Sequence, residues 1–181
     1  MGVHHMAFAT RDAEATHRFY SEAMGFELVK VEVGKTDGGW AKHLFYSTGE
    51  PRDQLIAFWD LHDPTLPAGW SGAISTSQGL PIWVNHLAFS ATDQGDLARR
   101  RERWLAHGHD VMEIDHDWCV SIYTQDPNGI LVEFCVDTRP YTDADKEHAL
   151  ATLLAESPEL EAPPVPSFFR ASEHRPTPAP A

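Results

Sequence analysis

Residue types able to hold a cation or move a proton crowd into one short stretch, Ile114 to Glu133, which reads IDHDWCVSIYTQDPNGILVE. His116 is followed after five residues by Ile122-Tyr123, after two more by Asp126-Pro127-Asn128-Gly129, and after three more by Glu133. Pro presets φ while Asn and Gly accept positive φ, so Asp126 to Gly129 reads as a turn. Its flanks, Cys119 to Thr124 and Ile130 to Val136, are expected to pair as antiparallel strands. Alternation then puts Tyr123, Leu131 and Glu133 on one face. A carboxylate among apolar strand residues needs a partner, most simply a metal ion.

Further ligand candidates come from an internal repeat. His4-His5-Met6-Ala7-Phe8-Ala9-Thr10-Arg11-Asp12 returns as Asn85-His86-Leu87-Ala88-Phe89-Ser90-Ala91-Thr92-Asp93, at a constant offset of 86 − 5 = 81. Such self-similarity marks two copies of one structural unit. Each copy runs from a strand into a helix opened by an aspartate that can accept from first-turn N–H groups. The helical patterns, Glu14 to Met24 and Gln94 to His107, stop at Gly25 and Gly108, as C-cap glycines do. In each first strand Met6 and Phe8, like Leu87 and Phe89, are expected to pack on the helix. His5, Ala7 and Ala9, like His86, Ala88 and Ser90, form the other face, where small residues leave a hollow suited to a ligand. A lone strand histidine is more often a hydrogen-bonded core residue than a ligand. Duplication, small neighbours and the same-facing Glu133 favour the ligand reading. His5, His86 and Glu133 together make a two-His, one-carboxylate set that suits Fe(II) and leaves coordination positions open.

The duplicated β-α-β-β-β unit, over about residues 3 to 136, resembles the vicinal oxygen chelate superfamily of glyoxalases, extradiol ring-cleavage dioxygenases, fosfomycin-modifying enzymes and bleomycin-binding proteins. More narrowly, Ile114-Asp115-His116, Ile122-Tyr123, Asp126-Pro127, Gly129 and Glu133 resemble the extradiol dioxygenase signature. The resemblance implies an α+β fold in which two βαβββ modules form curved mixed sheets around a metal site. It implies that His5, His86 and Glu133 bind Fe(II), with Mn(II) as the alternative ion and Zn or Ni if the chemistry is isomerisation. It makes His116 a residue touching bound oxygen or substrate, and Tyr123 a phenol that hydrogen-bonds a substrate oxygen. Catechol-cleaving relatives carry a further acid-base histidine at a position resembling Arg52-Asp53-Gln54, where this chain has none. His43, on the expected strand Trp40 to Ser47, is the nearby candidate, and parity alone does not say which way it points. The implied reaction is extradiol-type oxygenation, by O2, of a small aromatic diol or similar vicinal oxygen chelator. A glyoxalase-like lyase or isomerase would add a carboxylate within Leu55 to Trp59, which is wholly apolar, with Asp60 just beyond. A fosfomycin-type transferase would want a cationic cradle, and a binding protein without catalysis would normally lack the ligands.

Composition bounds these readings. A chain of 181 residues, 42% hydrophobic, can bury one sizeable core or two fused half-domains. Its net charge of 14 − 27 = −13 argues against nucleic acid and anionic membrane surfaces as partners. Without a run of about 18 apolar residues or a signal-peptide pattern, a cytoplasmic protein without a membrane partner is expected. Cys119 and Cys135 would face each other if the hairpin were centred on Pro127; reduced thiols are expected. The expected organisation is a first module over 1–60, a linker rich in Pro, Gly and Ser over 61–81, a second module over 82–137, a C-terminal helix within 138–157 and a Pro-rich tail over 158–181. Trp70 and Trp83 either face the substrate or anchor their own loop. The helical pattern Thr142 to Glu156 is expected to cover a sheet edge or join a partner chain, and the tail to be extended or disordered, with Phe168 and Phe169 able to dock. Small proteins of this resemblance are often dimers, so a homodimer is expected.

Overall fold

Each repeat begins with a short strand that hands over to a capped helix. In the computed structural model, which describes residues 3–49 and 54–174, β1 (His5–Thr10) leads into α1 (Ala13–Arg18), which continues as one wider turn over Phe19–Ala23. Asp12 caps α1 by accepting from the Ala15 N–H at 2.8 Å. In the second repeat β5 (His86–Ser90) leads into α2 (Gln94–Ala106), where Asp93 accepts from the Asp96 N–H at 2.7 Å. Gly25 and Gly108 end the two helical segments at φ 76° and 85°, the left-handed conformation glycine adopts without a Cβ penalty.

The remaining strands are β2 (Glu27–Lys35), β3 (Trp40–Ser47) and β4 (Leu55–His62) in the first module. The second module has β6 (Val111–Asp115), β7 (Cys119–Gln125) and β8 (Leu131–Asp137), followed by α3 (Asp143–Leu154) and β9 (Ser167–Phe169). They form two mixed sheets, ordered β1-β4-β3-β2 and β5-β8-β7-β6-β9. In both, the first strand of the repeat runs parallel to the last and the others pair antiparallel. The fold is α+β.

Alternation divides each sheet into an inner and an outer face. Leu44, Tyr46, Ile56 and Phe58 of the first sheet and Leu87, Ile122, Val132 and Phe134 of the second belong to one buried core. Phe26 joins the modules, with ring centroids 5.0 Å from Phe89 and 6.3 Å from Phe134. A polar joint reinforces this contact: buried Asp126 accepts from the Tyr20 hydroxyl at 3.1 Å, from the Asn128 and Ile130 N–H groups at 2.8 Å and from the Asn128 side-chain amide at 2.9 Å. Gly129, at φ 82°, sits where a Cβ would come within 3.0 Å of Ala73. The Asp-Pro-Asn-Gly turn therefore works as a hinge-pin between modules.

Several expectations need correction. The β7–β8 register pairs Cys119 with Asp137 and Ser121 with Cys135, so the two cysteines are diagonal rather than opposite, and both are free. Met6 does not pack on a helix; it is exposed and lines a cleft of about 270 Å³ with Val3, Leu55 and Phe89. The linker starts later than residue 61, because β4 extends through His62. α3 covers no sheet edge, and Leu150, Leu153 and Leu154 are exposed along it. The edge is covered instead by β9, from the Pro-rich tail in which Phe168 and Phe169 are expected to be able to dock: Phe169 pairs with Val111, and its ring lies 4.4 Å from the Arg101 guanidinium. No helix among the described residues is long and apolar enough to cross a membrane.

Candidate metal centre

Because the core takes the even-numbered residues of β4 and β8, the odd-numbered ones project from the opposite faces. On the second sheet this brings His86 and Glu133 together, although 47 positions separate them (133 − 86). His86 Nε2 lies 3.1 Å from Glu133 Oε2. Glu133 is only 6% exposed. The other ring nitrogen, Nδ1, donates to the Trp83 carbonyl at 3.0 Å. A carbonyl can only accept, so in the neutral ring Nε2 carries the lone pair, and that lone pair faces a carboxylate. Two acceptors at this distance need a proton or a cation shared between them. An imidazole with its outer nitrogen pinned to a carbonyl and its inner nitrogen free is the arrangement of metal-ligating histidines. The pair offers two donors of the kinds a divalent ion takes, one imidazole nitrogen and one carboxylate oxygen.

Tyr123 is the cross-strand partner of Glu133. Its hydroxyl shares a 3.0 Å hydrogen bond with His116 Nε2, and His116 stands in the hairpin between β6 and β7. Burial, reinforced by the Glu133 charge, pushes the Tyr123 phenol well above the usual tyrosine range. It stays protonated near neutral pH and can donate. Thus four of the sequence-derived residues, His86, Glu133, Tyr123 and His116, form one connected group.

His5 and His43 stand elsewhere, on the outer face of the first sheet. Their ring centroids are 6.3 Å apart. His43 is buried, stacked on Trp59 at 3.7 Å and packed against Phe45 at 4.0 Å. Its Nε2 has no hydrogen-bond partner among the described residues. Burial, with the neighbouring His5, lowers the His43 pKa. The side chains to either side of His5, Ala7 and Phe45, line the same face. Among the described residues no group of three or more His, Cys, Asp or Glu side chains converges, so one chain does not bring His5 to the His86–Glu133 pair. The two sites lie on different sheets, each of which turns its even-numbered last-strand residues into the common core and carries its own first-strand histidine on the opposite face.

Register aligns the two halves. Ala7 pairs with Ala57 as Ala88 pairs with Glu133, and Phe45 pairs with Ala57 as Tyr123 pairs with Glu133. Ala57 therefore occupies the position that Glu133 occupies in the second module, and Phe45 that of Tyr123. Asp60 faces the other way, across from Thr10 and Lys42. Arg52 and Asp53, at the place of the additional acid-base histidine, lie outside the described residues, as does the end of the tail from residue 175.

Trp83 escaped the sequence reading in its actual role, because a backbone acceptor leaves no residue-type signal. Its side chain is exposed. Trp70 anchors its own loop: Arg11 donates to the Ala68 and Trp70 carbonyls, both at 3.1 Å, with its guanidinium 5.4 Å from the Trp70 ring. Trp59, which covers His43, carried only the pattern of a strand aromatic.

Two βαβββ modules, each with a first-strand histidine and one with a last-strand carboxylate, match a known family description over residues 2–134. The chain belongs to the glyoxalase/bleomycin resistance protein/dioxygenase superfamily. Solved structures with the same fold include SMU.1112c, 22% identical over 75% of this chain and 98% of that one, with a TM-score of 0.55. The fosfomycin resistance protein FosX from Listeria monocytogenes is 17% identical over 76% of this chain and 94% of its own, with a TM-score of 0.53. A putative dioxygenase from Bacillus subtilis is 20% identical over 75% of this chain and 40% of its own, again with a TM-score of 0.53. No curated protein matches the sequence. This superfamily contains lyases, transferases and dioxygenases, so membership leaves the reaction to be argued from the site.

Proposed function

We propose that this protein is a metal-dependent oxygenase of extradiol type, acting on a small aromatic diol or related vicinal oxygen chelator. The observation that carries the reading is His86 Nε2 set 3.1 Å from buried Glu133 while its Nδ1 is held by the Trp83 carbonyl, a pair able to share a cation. His5 is the third ligand, and it comes from a second copy of the chain. In that homodimer the outer face of one chain's first sheet covers the outer face of the other's second sheet. The exposed outer-face residues His5 and Ala7 of β1 and Trp59 of β4 leave that face open to such a partner.

Fe(II) held by two imidazoles and one carboxylate, or Mn(II) in its place, would supply the charge that acidifies a chelated diol and open positions for it and for O2. The protein supplies orientation and proton control. Tyr123, kept neutral by burial, donates to one substrate oxygen. His116, 3.0 Å from the Tyr123 hydroxyl, exchanges a proton through it and is placed to donate a hydrogen bond to negative charge developing beside that hydroxyl. His43, on a face lined by Trp59 and Phe45, takes the place of the acid-base histidine from the first module. Ala57, at the position matching Glu133, provides no carboxylate for the fourth ligand of a lyase of the glyoxalase kind.

The test is elemental analysis of protein purified without oxygen, together with O2 uptake on a panel of catechols. Iron or manganese near one equivalent per chain with uptake on at least one diol supports the assignment. Zinc or nickel without uptake moves it to the isomerase class.

A further inference from the structure

We propose that Thr138 is a positioning residue for His116, and that it belongs to a C-terminal strap that this chain adds to the family fold. The proposal rests on the role assigned to His116 above. The family match ends at residue 134, and the solved relatives cover about three-quarters of the chain, so the residues beyond β8 are an addition. They are not appended passively. They hold both ends of β6, the strand that delivers His116.

At the His116 end the backbone is tightly bent. The Trp118 N–H donates to the His116 carbonyl at 2.9 Å, which closes a turn of three residues around Asp117. Asp117 has φ 70°, the one positive value at a non-glycine among the described residues. A γ-turn with positive φ is rare and strained, and strain of this kind persists only where surrounding contacts impose it. Thr138 supplies two of them: its hydroxyl donates to the Asp117 carbonyl at 2.6 Å and its N–H to the Trp118 carbonyl at 2.9 Å. Asp115 supplies another, accepting from the Asp117 N–H at 2.8 Å. The Trp118 ring packs against Tyr141, with centroids 5.6 Å apart. Arg139, next to Thr138, is fixed by paired 2.9 Å bonds to Asp145 in the first turn of α3.

At the other end of β6 the strap returns as β9. Arg170 donates to Asp110 at 2.6 Å, and the Ala171 N–H donates to the same carboxylate at 2.9 Å. With both ends of β6 pinned, the His116 ring is held at 3.0 Å from the Tyr123 hydroxyl by a turn that would otherwise relax. A displacement of about 1 Å at such a group is enough to slow a reaction whose geometry is preset.

Thr138→Val removes the hydroxyl bond and keeps the backbone bond, while Thr138→Ser keeps both. In full-length protein, Thr138→Val is expected to retain wild-type metal content and to lose at least about fivefold in kcat at unchanged KM, with Thr138→Ser restoring it. Histidine ring NMR on Zn(II)-treated full-length protein, with the His116 signal assigned through His116→Gln, gives a readout apart from turnover. The His116 resonances should move in Thr138→Val and return in Thr138→Ser. Resonances superimposable on wild type in Thr138→Val overturn the proposal. If His116→Ala leaves turnover unchanged, the catalytic role of His116 fails, and the ring resonances still decide whether Thr138 positions it.

Discussion

If His5 reaches the His86–Glu133 pair only across a dimer, two inactive variants must repair each other. His5→Ala removes a ligand from the first sheet and Glu133→Ala removes one from the second, so each homodimer has two damaged centres. In a mixed dimer one centre collects both lesions and the other collects neither. Random reassociation of equal amounts gives about half mixed dimers, each with one intact centre of two. The mixture should then hold about a quarter of the wild-type metal, against almost none in either variant alone. The assay is tightly held iron per chain after desalting, measured on separately refolded variants and on a pair refolded together, so it needs no known substrate. Retained metal near zero in the mixture refutes the shared centre, because sites built within one chain cannot be complemented. Near-full metal in His5→Ala alone refutes His5 as a ligand.

Other perturbations have defined outcomes. Metal at a hundredfold excess over its Kd should add about 2.7 kcal/mol, which for a chain of this size raises Tm by roughly 5–11 °C; a calorimetric shift that persists in Glu133→Ala would contradict the ligand assignment. Asp126→Ala strands the Tyr20 hydroxyl and two N–H groups inside the protein, with an expected cost of about 2–5 kcal/mol in urea unfolding; a loss below about 1 kcal/mol would mean the inter-module joint is dispensable. His109 is half-buried against Phe19, and burial with the nearby His107 lowers its pKa below the ordinary 6.5. The fold therefore favours the neutral ring, and its contribution is present above pH 6.5 and lost as pH falls through the lowered value. His109→Gln should flatten the stability profile in that window, as followed by Tm at stepped pH.

Much of the scaffold was legible because its signals are local. The aspartate caps at Asp12 and Asp93 and the glycine stops at Gly25 and Gly108 depend on a few neighbouring residues. The strand Trp40–Ser47 and the Asp126–Gly129 turn follow from alternation and turn chemistry in the same way. Pairing registers were less accessible: a shift in the hairpin centre from Pro127 to Asn128 moved Cys119 off Cys135 and put Tyr123 on Glu133. Asp126 looked like a member of a site signature and Asn128 like a plain turn residue, yet both serve as a joint to the helical segment of the first module, since their partners Tyr20 and Thr16 are more than 100 positions away. β9 was hidden inside a proline-rich segment, because its stability comes from the edge of β6 and from Asp110 rather than from its own composition.

Residue order and alternation alone were enough to establish a duplicated βαβββ unit, a histidine on each first strand and a carboxylate on the last strand of the second unit, since period-2 patterning and capping are properties of short segments. Which of those groups meet was a matter of packing. Each sheet buries its inner face in a common core built with the helices, α2 lying against β6, β7 and β8; register within the second sheet then joins His86 to Glu133, Tyr123 and His116, while His5 and His43 stay on the other sheet. Distances between side chains on different strands depend on register and on the direction each face takes from the common core, and neither is encoded in any one stretch of chain.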